Sequence, residues 1–232
     1  MSVGLLVGIG SPFWSWRPFQ AQNNEKTTIF DFRFVAVSDN LPAMAMLDQI
    51  LSFNKQFVAS KAYESFLTDR FPDKKIVIVT CMDTRLTELL PKAMNLKNGD
   101  AKFIKIAGAV VAAPFGSVMR SILVAIYSLG ATEIYVVGHH DCTMSSMGHE
   151  AMLKQARAAG IGEDVIRTLD HAGIDLESWL TGFASPAAGV HASVRMIRNH
   201  PLLPKHIVIH GLLIHPDTGQ LEVLSNGDES RA

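Results

Sequence analysis

The chain has 232 residues, 48% hydrophobic and 19% charged, and its Lys+Arg 21 against Asp+Glu 22 leave a formal net charge of -1. That length suits one domain, or one domain with an appendage, and so apolar a chain is not globally disordered. The charge balance provides no general basic surface, which argues against nucleic acid as partner, and no apolar run approaches the ~20 residues of a membrane span.

Residues 1–43 differ in character from the rest. They hold Gly4, Gly8, Gly10, Pro12 and Pro18 and show no sustained hydrophobic period. They read as a poorly ordered N-terminal extension ahead of a domain over 44–232, with "TTIFDFRFVAV" as a loosely alternating edge-strand candidate. No basic residue precedes the short run "VGLLVGIG", so the start is a weak signal-peptide candidate and the expected location is cytoplasmic. "AMAMLDQILSFNKQFV" then puts Met44, Leu47, Ile50, Leu51 and Phe57 at helical spacing. A second short helix is expected in "KAYESFLTDRF", ending in a turn at Pro72-Asp73.

"KIVIVT" (75–80) is a continuous β-branched run, as in a strand buried on both faces. "TELLPKAMN" predicts a helix kept short by Pro91, "NGD" a turn, and "AKFIKI" (101–106) the second strand. The clearest helix is "PFGSVMRSILVAIYSLG" (114–130). Phe115, Val118, Met119, Ile122, Ala125, Ile126 and Leu129 share a face, Pro114 suits the first turn and Gly130 the C-terminal cap. "EIYVVGHH" (133–140) is the third strand. A polar helical stretch from about Glu150 to Gly182 breaks at Gly160, Gly162 and Gly173. One more helix within 187–204 is stopped by Pro201. "KHIVIHGLLI" is the fourth strand, and "QLEVL" its hairpin partner across the turn "PDTG". Strands alternating with helices give an α/β class: a mostly parallel central β-sheet flanked by helices, with an antiparallel C-terminal hairpin strand.

The chain has only two cysteines, Cys81 and Cys142, too few for a disulfide scaffold; two intracellular cysteines are more often thiols or metal ligands. Cys81 opens "CMDTR" and Cys142 closes "HHDC", each at the carboxyl end of an expected parallel strand, where open α/β sheets place their ligand crevices. Taken singly, a cysteine after a buried strand is usually a small core hydrophobe. Taken with His139, the two supply two thiolates and one imidazole, a three-ligand zinc set with the fourth position open.

The pairing of C-x-D-x-R with H-x-x-C, together with "GDAKFIKIAGAVV", "RSILVAIYSLGATEIYVVGHHDC", "IRNHPLLP" and "GLLIHPDTGQL", resembles the β-class carbonic anhydrases from about Met44 to Leu224. On that resemblance Cys81, His139 and Cys142 hold Zn2+, Asp83 and Arg85 form the catalytic dyad, and the reaction is reversible hydration of carbon dioxide to bicarbonate. Arg85, always charged and forked, would hold Asp83 ionised and in one orientation. In some members that aspartate swings onto the zinc and closes the fourth position. Members also form dimers in which amino-terminal helices embrace the neighbouring subunit. The apolar face beginning at Met44 is therefore expected to cross to a second chain, giving a homodimer or a tetramer.

Two positions depart from the family pattern. Ile106 stands where asparagine is usual, which could leave a buried partner unpaired at ~1–3 kcal/mol. Thr143 stands where glycine is usual, which could strain the turn or narrow the cleft. The rival readings are therefore a same-fold hydrolase of a sulfur analogue such as carbonyl sulfide, and a non-catalytic zinc-binding relative. Gly108 is expected to permit close backbone approach beside the metal. Asp141 is expected to serve as an N-cap or as a hydrogen-bond acceptor behind the ligands, and His140 as a strand-end residue with no catalytic part, the alternative being a proton shuttle.

Overall fold

The computed structural model describes residues 45–229; the expectations for residues 1–43 and for Met44 lie outside them. The chain divides into two units, residues 1–53 and residues 54–232. The described part of the first is the start of helix α1 (Met46–Ala59), on which Met46, Leu47, Ile50 and Leu51 are exposed.

The second unit is built on a five-stranded sheet in the order β2-β1-β3-β4-β5. Its strands are β1 (Ile76–Cys81), β2 (Ala101–Ile106), β3 (Glu133–His139), β4 (Val208–Ile214) and β5 (Leu221–Ser225). The first four are mutually parallel, and β5 returns antiparallel to β4. The helices are α2 (Leu86–Ala93), α3 (Ser117–Tyr127), α4 (His149–Ala158), α5 (Glu163–His171), α6 (Leu176–Leu180) and α7 (Pro186–Arg198).

Successive strand residues point to opposite faces, so the β-branched runs fill two cores at once. Val77, Val79, Ile134, Val136 and Ile209 pack on one face against Met119, Ile122 and Ile126 of α3 and Val190, Val194 and Ile197 of α7. Ile76, Ile78, Val137, Leu212 and Ile214 occupy the other face with Leu86 and Leu90 of α2. Each such burial contributes ~1.5–3 kcal/mol. β1 is buried at all six positions, as its unbroken apolar run predicts.

Two local expectations change and one holds. The segment after α1 is a 3-10 turn (Ala62–Phe66) rather than an α-helix, because Lys61 enters it in the left-handed conformation, φ 55°. Helix α3 begins at Ser117, not at Pro114. Gly116 N–H closes a turn onto the Ala113 carbonyl at 3.2 Å, leaving Phe115 off the helix and 79% exposed. The polar stretch before α7 splits into α4, α5 and α6, with Gly160 and Gly173 at φ +96° and +80° in the breaks, where glycine avoids the Cβ penalty.

Candidate metal centre

Strands β1 and β3 lie side by side in parallel register, with Thr80 opposite Val137, and the buried Thr80 hydroxyl donates to the Val137 carbonyl at 3.0 Å. Both strands end together, so Cys81 and His139 emerge at the same edge of the sheet. Beyond His139 the chain turns through Asp141 at φ +54° and enters a 3-10 turn whose N-cap is Cys142. The Cys142 carbonyl accepts from Ser145 N–H at 2.9 Å and Ser145 Oγ at 2.7 Å, which pins this loop.

The candidate ligand atoms of Cys81, His139 and Cys142 all lie within 4.8 Å of one another, and all three residues are buried. His139 Nδ1 donates to the His140 carbonyl at 2.7 Å, which leaves the Nε2 lone pair facing inward, and Nε2 is buried without a hydrogen-bond partner. A backbone carbonyl on one ring nitrogen with the other left bare is how metal-ligating histidines are oriented.

Burial pushes the Cys81 thiol up. The His139 imidazole and the backbone N–H groups of Asp83 and Gly108 outweigh that and bring it down to about 7. Burial raises the Cys142 thiol to about 11; the Met144 backbone opposes the rise and the neighbouring Cys81 adds to it. Two thiolates this close repel each other. A divalent cation between them removes the conflict and takes up the orphaned Nε2, so the donor set fits zinc.

Beside the triangle, Arg85 grips Asp83 with its fork: Nη2 donates to Oδ2 at 2.9 Å and Nε to Oδ1 at 3.1 Å, while the Arg85 backbone N–H reaches Oδ1 at 2.8 Å. These bonds from Arg85 outweigh desolvation and hold the Asp83 carboxyl at about 2. Asp83 Oδ2 stands 3.8 Å from His139 Nε2, at the edge of the triangle. The same guanidinium donates from Nη1 to Asp141 Oδ2 at 3.2 Å and from Nη2 to the Asp141 carbonyl at 3.3 Å. Asp141 is thus an acceptor behind the Asp83–Arg85 pair, and not an N-cap. His140 is exposed, 3.8 Å from Glu222.

The two departures are absorbed locally. Thr143 is exposed, opens the 3-10 turn and does not take a positive φ, so no glycine is required there. Ile106 packs against the apolar core, while its backbone carbonyl still accepts from Met82 N–H at 3.0 Å.

A cover over the site escaped sequence reasoning. Phe183 and Met144 pack against the core cluster that holds Cys81 and Cys142. Gly182 N–H bonds the Met147 carbonyl at 3.0 Å and Phe183 N–H the Met144 carbonyl at 3.2 Å, so the strap before α7 is tied to the Cys142 loop. A Cβ on Gly182 would lie 1.7 Å from Met144 O. Nothing periodic marks "TGFASP"; a glycine followed by an aromatic was the only signal. Gly182→Ala is expected to destabilise the fold by about 1–3 kcal/mol and to loosen Cys142. Thermal denaturation alongside metal content checks this.

The carbonic anhydrase family profile matches residues 76–221. The chain belongs to the β-class carbonic anhydrases. It is 57% identical over 187 residues to YvdA of Bacillus subtilis, a provisionally named carbonic anhydrase, covering 81% of this chain and 95% of that one. It is 29% identical over 150 residues to β-carbonic anhydrase 1 of Mycobacterium tuberculosis, covering 65% of this chain and 82% of the relative. Among solved structures, the crystal structure of β-carbonic anhydrase isoform I from Trichomonas vaginalis aligns with a TM-score of 0.72 at 38% identity, over 79% of this chain and 100% of that one. In this chain the Cys-His-Cys triangle sits at the carboxyl edge of the parallel sheet. No helix among the described residues is long and apolar enough to cross a membrane.

Proposed function

We propose that this protein is a zinc-dependent carbonic anhydrase that interconverts carbon dioxide and bicarbonate, with Cys81, His139 and Cys142 holding the metal and Asp83 and Arg85 as the catalytic dyad. The observation that carries the reading is the buried triangle with its unpartnered His139 Nε2, set 3.8 Å from an Asp83 carboxylate already locked by Arg85. Zinc at that place would supply a Lewis acid that makes water acidic near neutral pH at the open fourth position. An ionised carboxylate is acceptor-only, so Asp83 selects a nucleophile that donates a proton toward it and turns that oxygen's lone pair to the carbon. Arg85 keeps Asp83 from rotating and Asp141 keeps Arg85 in place.

Among the relatives is a carbon disulfide hydrolase of Acidithiobacillus thiooxidans, at 26% identity over 157 residues. The much higher identity to the provisionally named carbonic anhydrase favours carbon dioxide as substrate. Stopped-flow hydration of carbon dioxide by zinc-loaded protein, run beside hydrolysis of carbonyl sulfide, tests the reading. Rapid hydration supports it; preferential turnover of the sulfur compound, or no turnover with full zinc, refutes it.

We place the active protein as a homodimer built on residues 44–232, with α1 crossing to the second chain. Leu47, Ile50 and Leu51 form an apolar stripe that α1 leaves exposed in the single chain. A chain beginning at Met44 is expected to stay dimeric and zinc-loaded, whereas one beginning at Ser60 dissociates or aggregates. Sedimentation of the full-length protein as a stable monomer at micromolar concentration would sink this. A cytoplasmic location suits two unbridged thiols.

A further inference from the structure

Between β2 and α3 the chain passes through a 3-10 turn, Ala107–Ala109, that packs against β1 and β3, the strands that end in Cys81 and His139. Two successive residues of this turn are left-handed: Gly108 at φ 63° and Ala109 at φ 57°. The first is glycine for a packing reason as well, because a Cβ there would lie 2.8 Å from Phe183 and 2.9 Å from Met144. The second is an alanine, which disfavours that conformation, so something outside the turn must hold it. Ala109 is fully buried, so solvent cannot satisfy its carbonyl.

What holds it is Ser193, fully buried in the middle of α7. Its hydroxyl donates to the Ala109 carbonyl at 3.0 Å and accepts from the Val111 N–H at 3.0 Å. A mid-helix serine commonly spends its hydroxyl on its own helix. This one instead spans both sides of a turn 82 and 84 residues away in sequence. The turn packs against β1, whose last residue is Cys81, and the Gly108 N–H is among the backbone donors that lower the Cys81 thiol. The chain of contact therefore runs from α7, through one hydroxyl, to a backbone donor on a metal ligand.

We propose that Ser193 is a positioning residue for the metal centre, whose double hydrogen bond holds the turn that keeps the Gly108 N–H on Cys81 Sγ. The proposal rests on Cys81 being a metal ligand. Ser193 touches neither substrate nor metal. It acts on the sulfur's donor strength and orientation, as outer partners of a ligand do.

The test uses the full chain with cobalt(II) in place of zinc, where thiolate-to-metal charge transfer reports on the sulfur–metal bonds of Cys81 and Cys142. Ser193→Ala is expected to shift and weaken that band and to release cobalt to a chelator ~10-fold faster, in the range seen when a ligand's outer partner is lost. In the metal-free chain it should speed amide hydrogen exchange at Gly108 by a similar factor. Val194→Ala, one residue along α7 and also in the core, lowers thermal stability but leaves band, release and exchange as in the wild type. Adding Ala109→Gly to Ser193→Ala should restore the band, because glycine takes the left-handed conformation unaided. A Ser193→Ala protein with wild-type band, release rate and Gly108 exchange overturns the proposal and leaves the zinc assignment intact. A wild type with no charge-transfer band overturns Cys81 as ligand, and this inference with it.

Discussion

Replacing Cys81 by serine is expected to strip the protein of most of its zinc and to abolish carbon dioxide hydration. The substitution is nearly isosteric at a position only 5% exposed, so the sheet should survive and the loss should belong to the site. A serine hydroxyl is a harder and far less acidic donor than a thiol that sits at about 7, and zinc in such sites takes sulfur as thiolate. Only His139 Nε2 and Cys142 would remain, and Cys142, raised by burial to about 11, gives up its proton only to a well-held cation. Metal analysis should find about one zinc per chain in the wild type and a small fraction of that in Cys81→Ser, with an unchanged far-ultraviolet dichroism spectrum. Full zinc retention by the variant would remove Cys81 from the ligand set.

Asp83→Asn and Arg85→Ala should do the opposite: keep the zinc and lose the rate, by ~10²-fold or more, as when a pre-set electrostatic contact at the reacting atom is removed. Asparagine presents a donor where Asp83 accepts only, so it no longer selects the proton-bearing nucleophile. Without Arg85, Asp83 loses the fork that orients it, and Asp141 loses its partner. The pH behaviour follows from the sign of the Asp83 shift. Its carboxyl is depressed from 3.8 to about 2, so the pair's stabilising contribution is complete above pH ~4 and is lost only as pH falls toward ~2. Any fall in activity between pH 8 and pH 5 therefore belongs to groups other than Asp83, and Asp83→Asn should leave the position of that limb unchanged. Wild-type rates in both variants would refute the dyad.

Much of this was open to a reader of the chain. β2 is found at its predicted residues and β1 within one residue of them, because β-branched runs between turn signals have few other places to go. The C-x-D-x-R and H-x-x-C patterns, each at the end of such a strand, announced which side chains would meet, since parallel neighbours in register deliver their carboxyl ends to one edge. What the chain could not announce depends on distances through space. Pro114 and Phe115 are compatible with a first helical turn, and the extended backbone of Gly116, at ψ 173°, takes them out of α3. Thr143 looks like a strained substitute for glycine until its backbone is seen to need no positive φ. Arg85 reaches Asp141 across 56 residues, and Ser193 reaches Ala109 across 84. Phe183 closes over Gly108 from the strap before α7. Residue type and local period determined the elements and the donor set, because those are local preferences. Tertiary packing alone decided how that donor set is held, because a hydrogen bond between distant segments leaves no period in the sequence of either one.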